Sequence, residues 1–343
     1  MKDGYTVSEG ILLAGNMIED VVKIIETYPQ KMSLTPIKEV RHSFGGAVCN
    51  CGVDLASLDP SLPITVVSAV GDDDAGHRIM DKMAQYKNID LQRVMFKGKT
   101  SFTDVMTEQK SGQRTFFTFK GADNLLVPED FDFTSLPGSL FHIGYIMLLN
   151  GLDAPDEAYG TAMARVLHDA QMHGKRTSID IVTEQGNRYK SLVPPALKYT
   201  DYCCINESEA QAVTDVPLRN ADGALLREHF SETCLALKAM GVSTWAIIHA
   251  PEYVAGVDER GNFFSYESIP LPEGYIKGSV GAGDAFVSGV LYSAYRNESL
   301  QNAIWLGSAI AVISLSAPGA TQSVSTLQSV METYRTLEQR RGH

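Results

Sequence analysis

The sequence predicts an α/β protein of three layers (α/β/α), with a mostly parallel central sheet covered by helices on both sides. Three observations carry this. Short apolar runs at 11–14, 64–70, 140–143, 177–180, 202–205 and 244–248 have strand length and little polar alternation, as strands buried on both faces do. Segments of helical period separate or follow them, at 46–58, 75–86, 156–173, 221–240, 282–296, 300–316 and 325–338. The chain has 343 residues, 44% of them hydrophobic and 20% charged, which suits a single large domain over 1–343.

Each element has a local reason. The helix expected at 46–58 opens on Gly45-Gly46 and carries Ala47, Val48, Val53, Leu55 and Ala56. The run at 64–70 ends in Gly71-Asp72-Asp73-Asp74-Ala75-Gly76, a strand-to-helix turn with acids in the first helical turn. The last helix places Leu327, Val330, Met331, Tyr334 and Leu337 on one face. Two segments break the rhythm, at 37–44 and 101–119, and read as hairpin strands. Lys110-Ser111-Gly112-Gln113 is a turn between strands at 105–109 and 114–119. Phe102, Val105, Phe116, Phe117 and Phe119 would need cover there. Pro194-Pro195 marks a loop.

Composition excludes several classes. A net charge of −12 without a basic stripe argues against nucleic acid and against an anionic membrane surface. No apolar run reaches the 18 or so residues of a membrane span. The first residues, Met1-Lys2-Asp3-Gly4 and then Ser8-Glu9, lack the apolar core of a signal peptide. Cys49, Cys51, Cys203, Cys204 and Cys234 lie in apolar or helical runs without zinc-site spacing, and read as reduced thiols of a cytoplasmic protein.

The chemistry concentrates at 278–286, Gly-Ser-Val-Gly-Ala-Gly-Asp-Ala-Phe. Small residues opening a helix leave backbone N–H groups bare at its positive end, which suits an anion. A carboxylate there would repel the anion unless it has work to do. Gly281, Ala282 and Gly283 would hold a transferring phosphoryl group, and Asp284 would take the proton of the attacking hydroxyl. From this segment alone, the alternative is a Gly-rich turn capped by Asp284. Gly45 and Gly46 let backbone approach a ligand, with Asn50 one turn on offering a donor and an acceptor. Asn206 and Glu209, after the run at 202–205, suit a nucleotide-borne Mg²⁺ that keeps its waters, or simply a helix N-terminus.

The order Gly-Gly-x-x-x-Asn, Gly-Asp-Asp-x-x-Gly, Asn-x-x-Glu, Gly-Ala-Gly-Asp resembles the ribokinase-like, PfkB-type carbohydrate kinases, from about Gly15 to Ser323. The resemblance implies an ATP-dependent kinase of a sugar or sugar-like hydroxyl. It implies Asp284 as base and Gly281, Ala282 and Gly283 as anion hole. Asp20, Gly45, Gly46 and Asn50 would then bind the sugar. Asn206 and Glu209 would serve Mg²⁺ and phosphate, with Glu209 reaching the metal through water. Gly319 and Ser323 would fall near the nucleotide and the monovalent-cation loop. The segments at about 16–44 and 98–121 would form a small β-lid that closes over the sugar and pairs two subunits into a homodimer.

The departures are informative. Gly278 stands where the family usually has an Asp that helps coordinate potassium, which puts K⁺ activation in doubt. His249-Ala250-Pro251-Glu252-Tyr253 replaces the usual nucleotide loop, and Pro251 has no N–H. His249 reads as structural before it reads as a phosphate ligand, and Arg114 as a solvated cation before a substrate clamp. Ile18, where some members carry a polar sugar ligand, implies a substrate other than ribose. The rival readings are a nucleoside kinase of the same family and a sugar-binding regulator without catalysis. An oxidoreductase is disfavoured because no Gly-x-Gly-x-x-Gly opens the first helix.

Overall fold

The computed structural model describes residues 9–184 and 186–339. The opening residues 1–8, which bear on the signal-peptide reading, lie outside the described residues.

The chain runs β1 (Ile11–Gly15), β2 (Ile18–Ile25), β3 (Ile37–Gly45), α1 (Ala47–Leu58), β4 (Ile64–Val70), α2 (Asp74–Met83) and β5 (Ile89–Phe96). It continues through β6 (Phe102–Glu108), β7 (Arg114–Phe119), β8 (Leu140–Ile146), β9 (Pro155–Asp156), β10 (Gly160–Thr161), α3 (Ala162–Met172) and β11 (Arg176–Ile181). Then come α4 (Tyr189–Leu197), β12 (Tyr202–Asn206), α5 (Glu207–Thr214), α6 (Phe230–Ala239), β13 (Trp245–His249), β14 (Tyr253–Val257) and β15 (Phe263–Glu267). The last elements are α7 (Ala282–Tyr295), α8 (Leu300–Ser314) and α9 (Leu327–Gln339).

Nine strands form one sheet in the order β15-β14-β13-β12-β11-β8-β1-β4-β5. The pairings from β13 through β5 are all parallel, while β14 and β15 add an antiparallel edge. Helices α1, α2, α7, α8 and α9 cover one face. Helices α3, α4, α5 and α6 cover the other. The expected three layers are therefore present. The order steps away from β1 on both sides, to β4 and to β8, so the switch point lies at β1 and β8. Ligands of open α/β sheets bind at such a point, beyond the strand C-terminal ends. Gly15 pairs with Gly144 there, and Gly15, at φ 130°, has no room for a Cβ against the Gly144 carbonyl.

A second sheet, β3-β2-β6-β7, stands apart from the first. Its β6–β7 hairpin is the one expected around Lys110–Gln113. Val105 was expected to need cover, but it is already buried, whereas Phe102, Phe116, Phe117 and Phe119 are exposed.

Some expected boundaries move for local reasons. The helix expected at 156–173 begins at Ala162, because Asp156 Oδ1 accepts from Ala158 N and Tyr159 N and closes a turn, and Thr161 caps the helix. The helix expected at 221–240 begins at Phe230, because Asn220 Oδ1 takes the Asp222 and Ala224 amides into a turn ending at Gly223. Pro194-Pro195 was read as a loop, yet both lie inside α4. Proline φ is helical, and the buried Val193, Ala196 and Leu197 hold the short helix despite two missing donors. Among the described residues, no helix is long and apolar enough to cross a membrane, and the five cysteines are free and buried.

Candidate active site

Five parallel strands end on one side of the sheet with Gly15, Tyr145, Asp180, Asn206 and His249 at or near their C-terminal ends. Two helices open onto the same side. Gly46, at φ 89°, is the N-cap of α1, and Gly281, in the left-handed region at φ 79°, is the N-cap of α7. A Cβ at Gly46 would meet the Asn16 backbone, and one at Gly281 would collide with Ala320, so only glycine fits either start. Asn16 fixes the first of these: its Oδ1 accepts from Ala47 N at 3.1 Å.

Asp284 sits in the first turn of α7 and is 5% exposed. Asn50 Nδ2 donates to its Oδ2 at 2.7 Å, and the Tyr145 hydroxyl donates to its Oδ1 at 2.6 Å. A carboxylate has roughly four lone-pair positions, so two remain for a substrate hydroxyl. Burial pushes the Asp284 carboxyl above its ordinary range, while the bonds from Tyr145 and Asn50 pull it down. Asn50 is also 5% exposed, and its Oδ1 is buried without a partner. An orphan acceptor beside a candidate base suits a ligand hydroxyl.

Asp20, on β2, reaches the site from the second sheet. A Cβ at Gly45 would lie 2.5 Å from Asp20 Oδ2, so Gly45 makes room for that carboxylate. Burial, with the charges of Asp284 and Glu19, raises the Asp20 pKa to about 6. Asp20, Gly45, Gly46, Asn50 and Asp284 thus lie together around the starts of α1 and α7.

The first turn of α7 has N–H groups without intrahelical acceptors. The Ala282 N–H reaches Ser279 O at 3.4 Å, leaving those of Gly283 and Asp284 as the better anion donors. His249 lies beside this turn: a Cβ on Gly283 would stand 3.6 Å from its Cε1, and its ring packs 5.0 Å from Phe286. Burial lowers the His249 pKa to about 4, so the ring is neutral near pH 7 and adds no positive charge for phosphate. Pro251 and Glu252 form the two-residue turn between β13 and β14.

Asn206 and Glu209 form a capping box at the start of α5. Glu209 Oε2 accepts from Asn206 N, and Oε1 from Thr183 Oγ1. Burial raises the Glu209 pKa to about 7. Both Glu209 oxygens already accept one bond each, and a Mg²⁺ that keeps its waters would be met through water. Among the described residues, no cluster of three or more His, Cys, Asp or Glu could hold a metal by itself. Ser323 Oγ donates to Ser314 O at 3.2 Å, and Gly319 packs under Gln322. At Gly278, a Cβ would lie 2.8 Å from Pro318 O, so the 317–318 backbone occupies the space of any side chain.

Sequence reasoning missed Tyr145, Asn16, Asp180 and Asp54. The strand expected at 140–143 stops short of Tyr145, although β8 runs to Ile146. Asp180 ended an expected strand and was a visible signal. Burial, with Glu209 and Asp284 nearby, holds its carboxyl well above the usual range. Asp54 is 1% exposed, and neither of its carboxyl oxygens has a hydrogen-bond partner.

Comparison with known proteins shows the family and the fold. Residues 11–327 match the description "pfkB family carbohydrate kinase", and the chain belongs to that family. It is 23% identical over 328 residues to a bifunctional ribokinase/ribose-5-phosphate isomerase A of Fructilactobacillus sanfranciscensis, covering 94% of this chain and 55% of that protein. The chain therefore spans about half the length of that relative. It is 25% identical over 293 residues to the aminoimidazole riboside kinase of Salmonella typhimurium, covering 80% of this chain and 83% of that one. In fold it resembles an Arabidopsis thaliana ribokinase solved with ribose and ATP, at a TM-score of 0.77 and 17% identity over 96% of this chain and 99% of that one.

Proposed function

We propose that the protein transfers the γ-phosphoryl group of ATP to a hydroxyl of a sugar, sugar acid or riboside. The single observation that carries this is Asp284: a buried carboxylate held by two donors, in the open first turn of a helix, at the switch point of a parallel sheet. Family membership supports the reaction class. The names of the relatives support a sugar or ribosyl acceptor.

The acceptor lies between Asp20 and Asp284, with one hydroxyl donating to Asn50 Oδ1 and the reacting hydroxyl donating to Asp284. As the acceptor oxygen bonds to the γ-phosphorus, its O–H breaks and the proton passes to Asp284. The bond from phosphorus to the ADP oxygen breaks, and its electron pair leaves with ADP. The N–H groups of Gly283 and Asp284 face the phosphoryl oxygens and spread their charge. Mg²⁺, when bound with ATP, would neutralise phosphate charge, and Glu209 and Asn206 would hold its water shell. The second sheet acts as a lid that excludes water and limits ATP hydrolysis. Its exposed phenylalanines suit pairing with the lid of a second copy. The crowded position of Gly278 supports catalysis without a potassium ligand from that residue.

The test is ADP release from Mg-ATP across a panel of sugars, sugar acids and nucleosides, with potassium or sodium as the salt. Acceptor-dependent ADP release that is equal in the two salts is expected. Silence across the panel, with one compound still raising thermal stability, would favour the non-catalytic binder.

A further inference from the structure

Three elements converge on Asp284, and one brings a residue without an assigned role. Helix α7 supplies Asp284 itself, α1 supplies Asn50, and β8 supplies Tyr145. The contact between β8 and α1 is built closely: a Cβ on Gly144 would stand 2.9 Å from the Ala47 Cβ. Gly144 precedes Tyr145, and Ala47 opens the helix that carries Asn50. The close approach therefore sets both donors around one carboxylate. Because an ionised carboxylate only accepts, the Tyr145 hydroxyl is the donor of its 2.6 Å bond.

We infer that Tyr145 is a positioning residue for the proposed base, fixing the Asp284 carboxylate through Oδ1 so that its free lone pairs meet the acceptor hydroxyl. This rests on the kinase reading above and adds a residue to it.

The electrostatic surroundings explain why such a donor is needed. Acids and thiols surround Asp284: Asp20 on β2, Cys49, Cys51 and Asp54 on α1, and Asp180 on β11. Among the described residues, no Lys or Arg bonds to the Asp284 carboxyl, whose partners are Tyr145 and Asn50. Burial raises the Asp284 pKa and so works against the charged form that accepts a proton. The bonds from Tyr145 and Asn50 oppose this by favouring the charged form. The Tyr145 phenol is itself held well above its ordinary pKa by burial and by Asp284, so it stays a donor.

The experiment compares wild type, Tyr145→Phe and a form carrying 3-fluorotyrosine at 145, which keeps the ring shape and donates more strongly. In Tyr145→Phe, kcat is expected to fall roughly 10- to 100-fold, the loss typical of a hydrogen bond to a charged group. Its acid limb should move to higher pH, with little change in acceptor KM. The fluorinated form should move the limb to lower pH. A carbon-13 titration of the Asp284 carboxyl, assigned with Asp284→Asn, should shift in the same two directions. That titration needs no turnover, so it tests Tyr145 even if the kinase reading fails. A kcat loss with an unmoved limb would overturn the inference. So would a rise in acceptor KM alone, which would make Tyr145 an acceptor ligand. Shifts of the same sign in both forms would also overturn it.

Discussion

The two sheets of this molecule are built on different terms. In the nine-stranded sheet, β1 and β4 are buried at every residue, and helices close both faces. In the four-stranded sheet, β7 is exposed along its whole length and β3 along all but its last two residues. Phe116 and Phe117 are 57% and 54% exposed. The first sheet has both faces covered within one chain, whereas the second leaves aromatic surface open. Asp284 belongs to the covered layers and Asp20 to the open one, so the candidate site joins a covered floor to an exposed roof.

That contrast predicts how each part breaks. The largest effect is expected in the floor. Gly15→Ala places a Cβ on the Gly144 carbonyl at a position already at φ 130°. It should cost ~3 kcal/mol or more, measured by urea unfolding. In the roof, if the proposed lid pairing forms, Phe116→Ser with Phe117→Ser should leave the monomer folded and turn that dimer into a monomer by sedimentation. The expected loss is about 1.5–3 kcal/mol of association for each phenylalanine that pairing buries fully. An unchanged sedimentation coefficient would remove the lid from the interface.

Smaller effects sharpen the same comparison. Asp54 is a buried, unpartnered acid in the floor, and burial with the charge of Asp284 holds its pKa well above the ordinary value. The sign follows from linkage: below the unfolded pKa it carries no penalty, and stability is lost as pH rises through the interval between the unfolded and folded values. Between about pH 5 and about pH 8, the melting temperature of wild type should therefore fall more than that of Asp54→Asn. Parallel curves would show that Asp54 finds a partner. The smallest effect belongs to the lid turn. Gly112 has φ 69° but nothing within 4 Å of a Cβ, so Gly112→Ala should cost only about 1–2 kcal/mol from backbone strain.

The same division decided how much was legible in the sequence. The buried parallel strands announced themselves as unbroken apolar runs, because helices cover both of their faces. Strands β2, β5 and β15 were missed because each mixes polar with apolar residues; β14 was missed although it is buried at every residue, because its five-residue run is short and interrupted by Gly256. The site was readable where backbone chemistry demands glycine, at Gly45-Gly46 and at Gly281-Ala282-Gly283-Asp284. Tyr145 and Asn16 were not readable, because their roles depend on close approach between β8, β1 and the start of α1. No local sequence pattern encodes such a contact. Asn206 and Glu209 show the opposite limit. A capping box and a metal-water pair use the same residues at the same spacing, and the capping box is what the fold displays.

The most direct measurement compares wild type with Asp284→Asn, using turnover by ADP release and acceptor binding by calorimetry on the same samples. The account predicts nearly unchanged binding and a turnover loss of roughly 10²–10⁴-fold, the usual contribution of a general base. Turnover close to wild type in Asp284→Asn would contradict it.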